Sequence, residues 1–173
     1  VSAWVTTNKL VLGQVKVDSK SNQITAILEL IKVLELNGCM VTIDAIRCQK
    51  EIVKLITGQN ADYVISLKKN QGTLYESVEQ LFKLGISTGF QESQHSTYKT
   101  EETEHGPHEI RKYMILSAIR FNLDSDSVWS NIKSIGMVES VRQVDGKTRV
   151  ETRYFISDVE DNAKQSANCV RSH

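Results

Sequence analysis

The sequence of 173 residues holds few side chains whose type and spacing suit chemistry. One is Asp44, a carboxylate directly after the short apolar run Met40 to Ile43. Open α/β sheets bind ligands at the carboxyl ends of their strands, and a carboxylate there can hold a divalent cation. Two-metal phosphoryl transfer needs several such carboxylates converging. Read alone, Asp44 suits an N-cap better, because an Asp oxygen readily accepts from the first free amides of a following helix. A second candidate is Lys68-Lys69-Asn70-Gln71-Gly72, between a strand-like run and a helix-like run. Lysine, side-chain amides and helix-start N–H groups all suit phosphate. A solvated turn fits the same residues, and the P-loop pattern is absent.

Other candidates carry less. His105 and His108 flank Gly106-Pro107, and the proline argues against the helix a zinc-protease motif needs. Glu101, Glu102 and Glu104 read as a solvated acidic face. No G-x-S-x-G elbow and no glycine-rich dinucleotide fingerprint occurs. Cys39, Cys48 and Cys169 are too few and too scattered for a disulfide framework or a zinc site, which fits a reducing compartment.

These residues must be positioned by local elements. Val1 to Val5 and Val11 to Val17 flank Thr6-Thr7-Asn8-Lys9 and predict a hairpin, with Gly13 marking a bulge or a close approach. Ile24, Ile27, Leu28, Ile31 and Leu34 recur at helical spacing, closed by Asn37-Gly38. Met40 to Ile43 predicts a buried strand, inferred to be central. A helix follows over about 47–57, then a strand over Tyr63 to Leu67. Thr73 and Glu76 fit a capping box before the stripe Leu74, Val78, Leu81, Phe82. Residues 1–83 thus predict a layered α/β sheet, made mixed by the hairpin on its edge. Residues 84–107 are polar and read as loop or a weakly structured insertion. Ile110 to Ile119 predicts a strand, and Asp145-Gly146 predicts a hairpin between Ser134–Val144 and Lys147–Ile156. Residues 84–157 are therefore a β-rich segment, and 162–170 the start of a last helix.

Composition narrows the class. Lys plus Arg number 21 and Asp plus Glu 21, so the formal charge is zero. A protein that coats DNA needs a basic excess, so any nucleic-acid role must rest on local clusters. Apolar residues at 40% and charged residues at 24% fit a globular chain. No apolar run reaches the ~18 residues of a membrane span, and Val1 to Leu10 has no signal-peptide pattern.

Ordered motifs along the whole chain resemble one family. They are Val1-Ser2-Ala3-Trp4, Leu12-Gly13-Gln14-Val15-Lys16-Val17, Thr42-Ile43-Asp44-Ala45, Cys48-Gln49-Lys50-Glu51-Ile52, Ala61-Asp62-Tyr63-Val64, Leu67-Lys68-Lys69-Asn70-Gln71-Gly72, and His105-Gly106 with Glu109 and Arg111. The sequence resembles the bacterial insertion-sequence transposases of the H-repeat-associated (ISAs-type) group, within the DDE superfamily. The resemblance implies an RNase H-like mixed sheet flanked by helices. It implies three carboxylates that bind two Mg²⁺ (or Mn²⁺) ions and activate water, then a DNA 3′-hydroxyl, for attack on phosphodiesters. Asp44 matches the second carboxylate, catalytic and metal-binding, which reverses the cap-first reading. Lys68, Asn70 and Gln71 match a K-x-N-Q segment that would face DNA. The implied partner is DNA, at element ends and target, with self-association and a cytoplasmic, nucleoid-associated location.

The departures set further expectations. The family's first Asp lies on a strand upstream of Val-Ser-Ala, and its Glu lies just past the Arg-x-His that ends this chain as Arg171-Ser172-His173. The chain is expected to be a piece of a core: 1–83 a partial RNase H-like core lacking its first strand, 84–157 a β-rich insertion, 158–173 the start of the final core helix. Such a piece is expected to be inactive by itself. The alternative is a degenerate remnant that at most binds DNA or self-associates. Arg47 stands where the family often has Gly near this position.

Overall fold

The computed structural model describes residues 2–5, 10–15, 23–43, 50–90, 93–103, 108–119, 121, 123, 129, 131–144, 146–160 and 162–170. The elements are β1 (Ser2–Val5), β2 (Leu10–Gln14), α1 (Gln23–Val33), β3 (Met40–Ile43), α2 (Lys50–Gly58), β4 (Asp62–Leu67), a 3₁₀ turn (Lys69–Gln71) and α3 (Gly72–Thr88). They continue as β5 (His95–Thr103), β6 (His108–Ser117), β7 (Ser134–Val144), β8 (Lys147–Ser157) and α4 (Ala163–Val170). Six strands form one sheet in the order β3-β4-β8-β7-β6-β5. β3 and β4 are parallel and every other neighbouring pair is antiparallel. No helix among the described residues is long and apolar enough to cross a membrane.

Alternation along the strands divides the core between two faces. Tyr63, Ile65 and Leu67 of β4 point to one face with Tyr154 and Ile156 of β8, under apolar residues of α1, α2 and α3. Val64 and Phe155 point to the other, with Tyr113 and Val138, under Ala163, Ala167 and Val170 of α4. The helices lie there because each carries an apolar stripe: Ile27, Leu30 and Ile31 in α1, Ile52, Val53 and Ile56 in α2, Leu74, Val78 and Phe82 in α3. Gln59 ties α1 to the loop after α2. Its Nε2 donates to the Ile31 carbonyl (2.8 Å) and its Oε1 accepts from Leu36 N–H (3.3 Å), satisfying groups at the end of α1.

The structure changes several expectations. The hairpin β1–β2 is a separate two-stranded sheet among the described residues, so the mixed sheet arises from β4 pairing with β8. Among the described residues β3 is the end strand of the six, half-buried throughout, rather than a central one. Within 84–107, where the polar sequence reads as loop or a weakly structured insertion, α3 runs on to Thr88 and β5 occupies His95–Thr103. Thr73 lies inside α3, and the helix starts from Gln71 without a side-chain cap. Gly13 meets both its readings. The β1–β2 register slips there, leaving Leu12 without an opposite residue, and a Cβ at Gly13 would come within 2.8 Å of Leu30 Cδ1.

Candidate functional site

Parallel pairing sets the geometry of the candidate site. Ile43 of β3 is in register with Ile65 of β4, so the carboxyl ends of both strands lie at one edge of the sheet. Val64, Ile65 and Leu67 are buried and hold β4 in place. Lys68 follows at that edge and is exposed. Asp44 follows Ile43 in sequence and lies outside the described residues, as does the side chain of Asn70.

Gln71 has a local role. Lys68 N–H donates to Gln71 Oε1 (2.5 Å), and Gln71 N–H donates to the Lys68 carbonyl (2.9 Å). This reciprocal pair closes the 3₁₀ turn and delivers the chain to α3 through Gly72 at φ 46°. The Gln71 side chain expected to face DNA thus shapes the turn that presents Lys68 and Lys69. Position 72 favours glycine because positive φ crowds a Cβ.

Sequence reading missed what stands opposite this turn. Ser66, Leu67, Lys68, Lys69 and Tyr75 form one side of a groove of about 380 Å³, and Glu151, Thr152 and Arg153 of β8 form the other. Lysines 68 and 69 and Arg153 line it against the carboxylate of Glu151, whose Oε1 lies 3.8 Å from Arg153 Nε. The groove exists because β8 continues past the last β4 pair, Leu67 with Tyr154. No local pattern signals that residues so far apart in sequence share a groove. A net-cationic cleft suits a phosphate-bearing chain.

The remaining candidates are dispersed. Glu101 accepts from Lys99 Nζ (2.9 Å), and this hydrogen bond with the lysine's charge holds its carboxyl below the ordinary value. His108 Nε2 lies 3.4 Å from Glu101 Oε1, and its Nδ1 lies 3.0 Å from Thr103 Oγ1. His105 and Glu104 lie outside the described residues. Burial pushes the Cys169 thiol up, away from reactive thiolate. A buried carboxylate that the sequence did not flag, Asp158, accepts from Tyr63 N–H (2.7 Å). Tyr63 sits toward the start of β4, at the opposite edge from Lys68, so this group braces the sheet. Among the described residues no group of His, Cys, Asp or Glu is arranged to hold a metal ion, so the fit of a metal centre rests on residues beyond them.

Comparison with known proteins gives a consistent picture. A family model described as a transposase DDE domain matches residues 1–173. A protein of Escherichia coli O157:H7, provisionally named transposase YncI, is 36% identical over 176 residues, covering 100% of this chain and 44% of that protein. An E. coli K12 protein, provisionally named H repeat-associated transposase YhhI, is 34% identical over 177 residues, covering 100% of this chain and 46% of that protein. A third, from the same strain and provisionally named H repeat-associated transposase YbfD, is 39% identical over 115 residues, or 66% of this chain and 44% of that protein. The chain spans about half the length of the curated relatives it matches. No solved structure matches it significantly.

Proposed function

Because the chain belongs to the transposase DDE domain family, we propose that it is part of an enzyme that cleaves and joins DNA strands during transposition. The observation that carries this reading is the shared edge of β3 and β4, which leads on one strand to Asp44 and on the other to Lys68. Asp44 is proposed as one of three carboxylates that hold divalent metal, Mg²⁺ or Mn²⁺, in the intact protein. The metal supplies charge neutralisation and activation of the attacking oxygen. Lys68 and Asn70 would face the phosphodiester backbone, with Gln71 holding their turn.

The finer fold assignment follows the same reading. An upstream strand, carrying the first carboxylate, would join the separate β1–β2 pair to the β3 edge. Without it, that edge invites pairing with a second copy, and size-exclusion chromatography at high concentration should show a dimer. A strict monomer would remove that part. The reading also places the enzyme in the bacterial cytoplasm, with the nucleoid.

A supercoiled-plasmid nicking assay with Mg²⁺ tests the whole. In the intact enzyme, Asp44→Asn should abolish cleavage while leaving the thermal midpoint in place. Cleavage retained in that variant would sink the assignment. The 173-residue chain alone should leave the plasmid intact, since one carboxylate cannot build two-metal geometry. Cleavage by it that disappears in Asp44→Asn would reverse the inactivity proposal.

A further inference from the structure

β7 and β8 do not stop where the core stops. β8 leaves β4 at Tyr154, and its pairing with β7 continues to Val144 opposite Lys147, with β6 alongside β7 as far as Gln143. The extension reaches on the order of 20 Å at ~3.4 Å per residue. Arg142 to Val144 and Lys147 to Thr152 are exposed, so the end of the arm is solvated on both faces.

Most carboxylates on β5 to β8 are paired. Glu101 pairs with Lys99 (2.9 Å), Glu109 with Arg111 (3.0 Å), Glu139 with Lys112 (3.5 Å) and Glu151 with Arg153 (3.8 Å). Arg142, Lys147 and Arg149 have no carboxylate partner among the described residues. Arg142 stands directly opposite Arg149, and Lys147 lies two residues before Arg149 on the same strand, so all three project from one face. It is the face that α4 covers nearer the core, through Tyr113, Val138 and Phe155.

Glu109 of β6 stands opposite Arg142 on its other side and Glu151 follows two residues after Arg149, but these carboxylates pair with Arg111 and Arg153, which leaves the like-charge neighbours Arg142 and Arg149 side by side. Keeping an open sheet edge from pairing accounts for cations on β8 beyond β4. It does not account for Arg142, because β7 lies between β6 and β8. Cations two residues apart on one strand face are spaced ~6.8 Å, the axial rise of two nucleotides along a B-DNA strand.

On the premise that the chain works on DNA, we propose that the face of the β7–β8 arm bearing Arg142, Lys147 and Arg149 is a docking track for the phosphodiester backbone of duplex DNA. The arm roots at Arg153, which lines the groove with Lys68 and Lys69, so a bound duplex would run from the arm toward the edge that leads to Asp44.

The test is fluorescence anisotropy of the chain with a labelled 30-base-pair duplex of arbitrary sequence, from about 50 to 200 mM NaCl. Each lost phosphate contact should make the plot of log affinity against log salt shallower by ~0.9. Removing all three cations (Arg142→Ala, Lys147→Ala, Arg149→Ala) should therefore lower the slope by about two to three and weaken binding at least tenfold at 50 mM. Arg142→Lys with Arg149→Lys should keep the slope, and Lys83→Ala on α3 should not move it. The triple variant should melt no lower than the parent, because it removes a like-charge pair. A triple variant that binds within twofold of the parent with the same slope overturns the proposal, as does a folded chain that does not bind the duplex at 50 mM. Unchanged binding in the arm variants, with cleavage lost in Asp44→Asn of the intact enzyme, overturns the arm and leaves the catalytic reading standing. Weakened binding with cleavage intact in Asp44→Asn supports the arm and removes the catalytic reading.

Discussion

β4 and β8 lie side by side in one sheet and are built differently. β4 is buried along nearly its whole length, between helices on both faces. β8 is buried only from Tyr154 to Ser157, the stretch paired with β4, and open from Lys147 to Thr152. Where layers cover both faces, residues are apolar and alternation loses its meaning. Where β8 runs past β4 and forms the outer strand beside β7, side chains are charged or polar and stability must come from the root and from β6 alongside. The comparison divides the sheet into a base that holds the fold and an arm free to carry surface chemistry.

The sharpest way to break this division is to remove packing from the base. Phe82 is fully buried and stacks on Tyr154 at 5.8 Å between ring centroids. Phe82→Ala should cost ~3–5 kcal/mol in denaturant unfolding. A cost under ~1 kcal/mol would place the stabilising core elsewhere.

Next in size is Gly136 of β7, opposite Phe155. The Phe155 ring lies over it, and a methyl group there would collide with the ring. Gly136→Ala should cost ~1–3 kcal/mol through overpacking. A neutral result would show that the ring moves freely.

Asp158 tests the far edge of the base. Desolvation raises its carboxyl above the ordinary 3.8, against the hydrogen bond from Tyr63 N–H. A raised folded pKa means that the fold favours the protonated form. That contribution is complete below the unfolded value and is lost as pH rises through the folded one. Asp158→Asn keeps an acceptor for Tyr63 and cannot ionise. It should raise the thermal midpoint at pH 7, with the advantage closing as pH falls toward 3.8. Midpoints that stay parallel down to pH 3 would rule out this carboxyl as the cause.

The smallest effect belongs to the arm. Val150 is 59% exposed, and Val150→Ala should change stability by less than ~0.5 kcal/mol. A loss comparable to Phe82→Ala would mean that the arm is part of the core.

The two regions also differed in how far sequence could read them. The stripes of α1, α2 and α3 and the runs at β3 and β4 were legible, because one-sided or full burial leaves a periodic trace. So was the β7–β8 hairpin, from Asp145-Gly146 between alternating runs. β5 was not legible. Its sequence, His95 to Thr103, alternates exposed with half-buried positions and holds one aromatic, Tyr98. It is a strand because it pairs with β6 from His95–Leu116 to Thr103–His108. The end of α3 was missed because Leu84 and Ile86 are exposed and fall off its stripe. At the site, the Lys68–Gln71 segment was visible as turn chemistry, whereas the Gln71 contact that closes it was not.

By itself the sequence determined most local elements, though not β5 or the end of α3, together with the family motifs around Asp44 and Lys68 and the neutral overall charge. The charge is a sum over the chain, and the elements and motifs depend on neighbours within a few residues, which periodicity and motif spacing encode. Only the tertiary structure decided that β8 lies beside β4. That pairing places Arg153 and Glu151 across from Lys68, puts Asp158 against Tyr63, and throws the arm past the sheet edge. These contacts join residues tens of positions apart through backbone pairing and burial on both faces, and no local pattern records which distant strand a buried strand will meet.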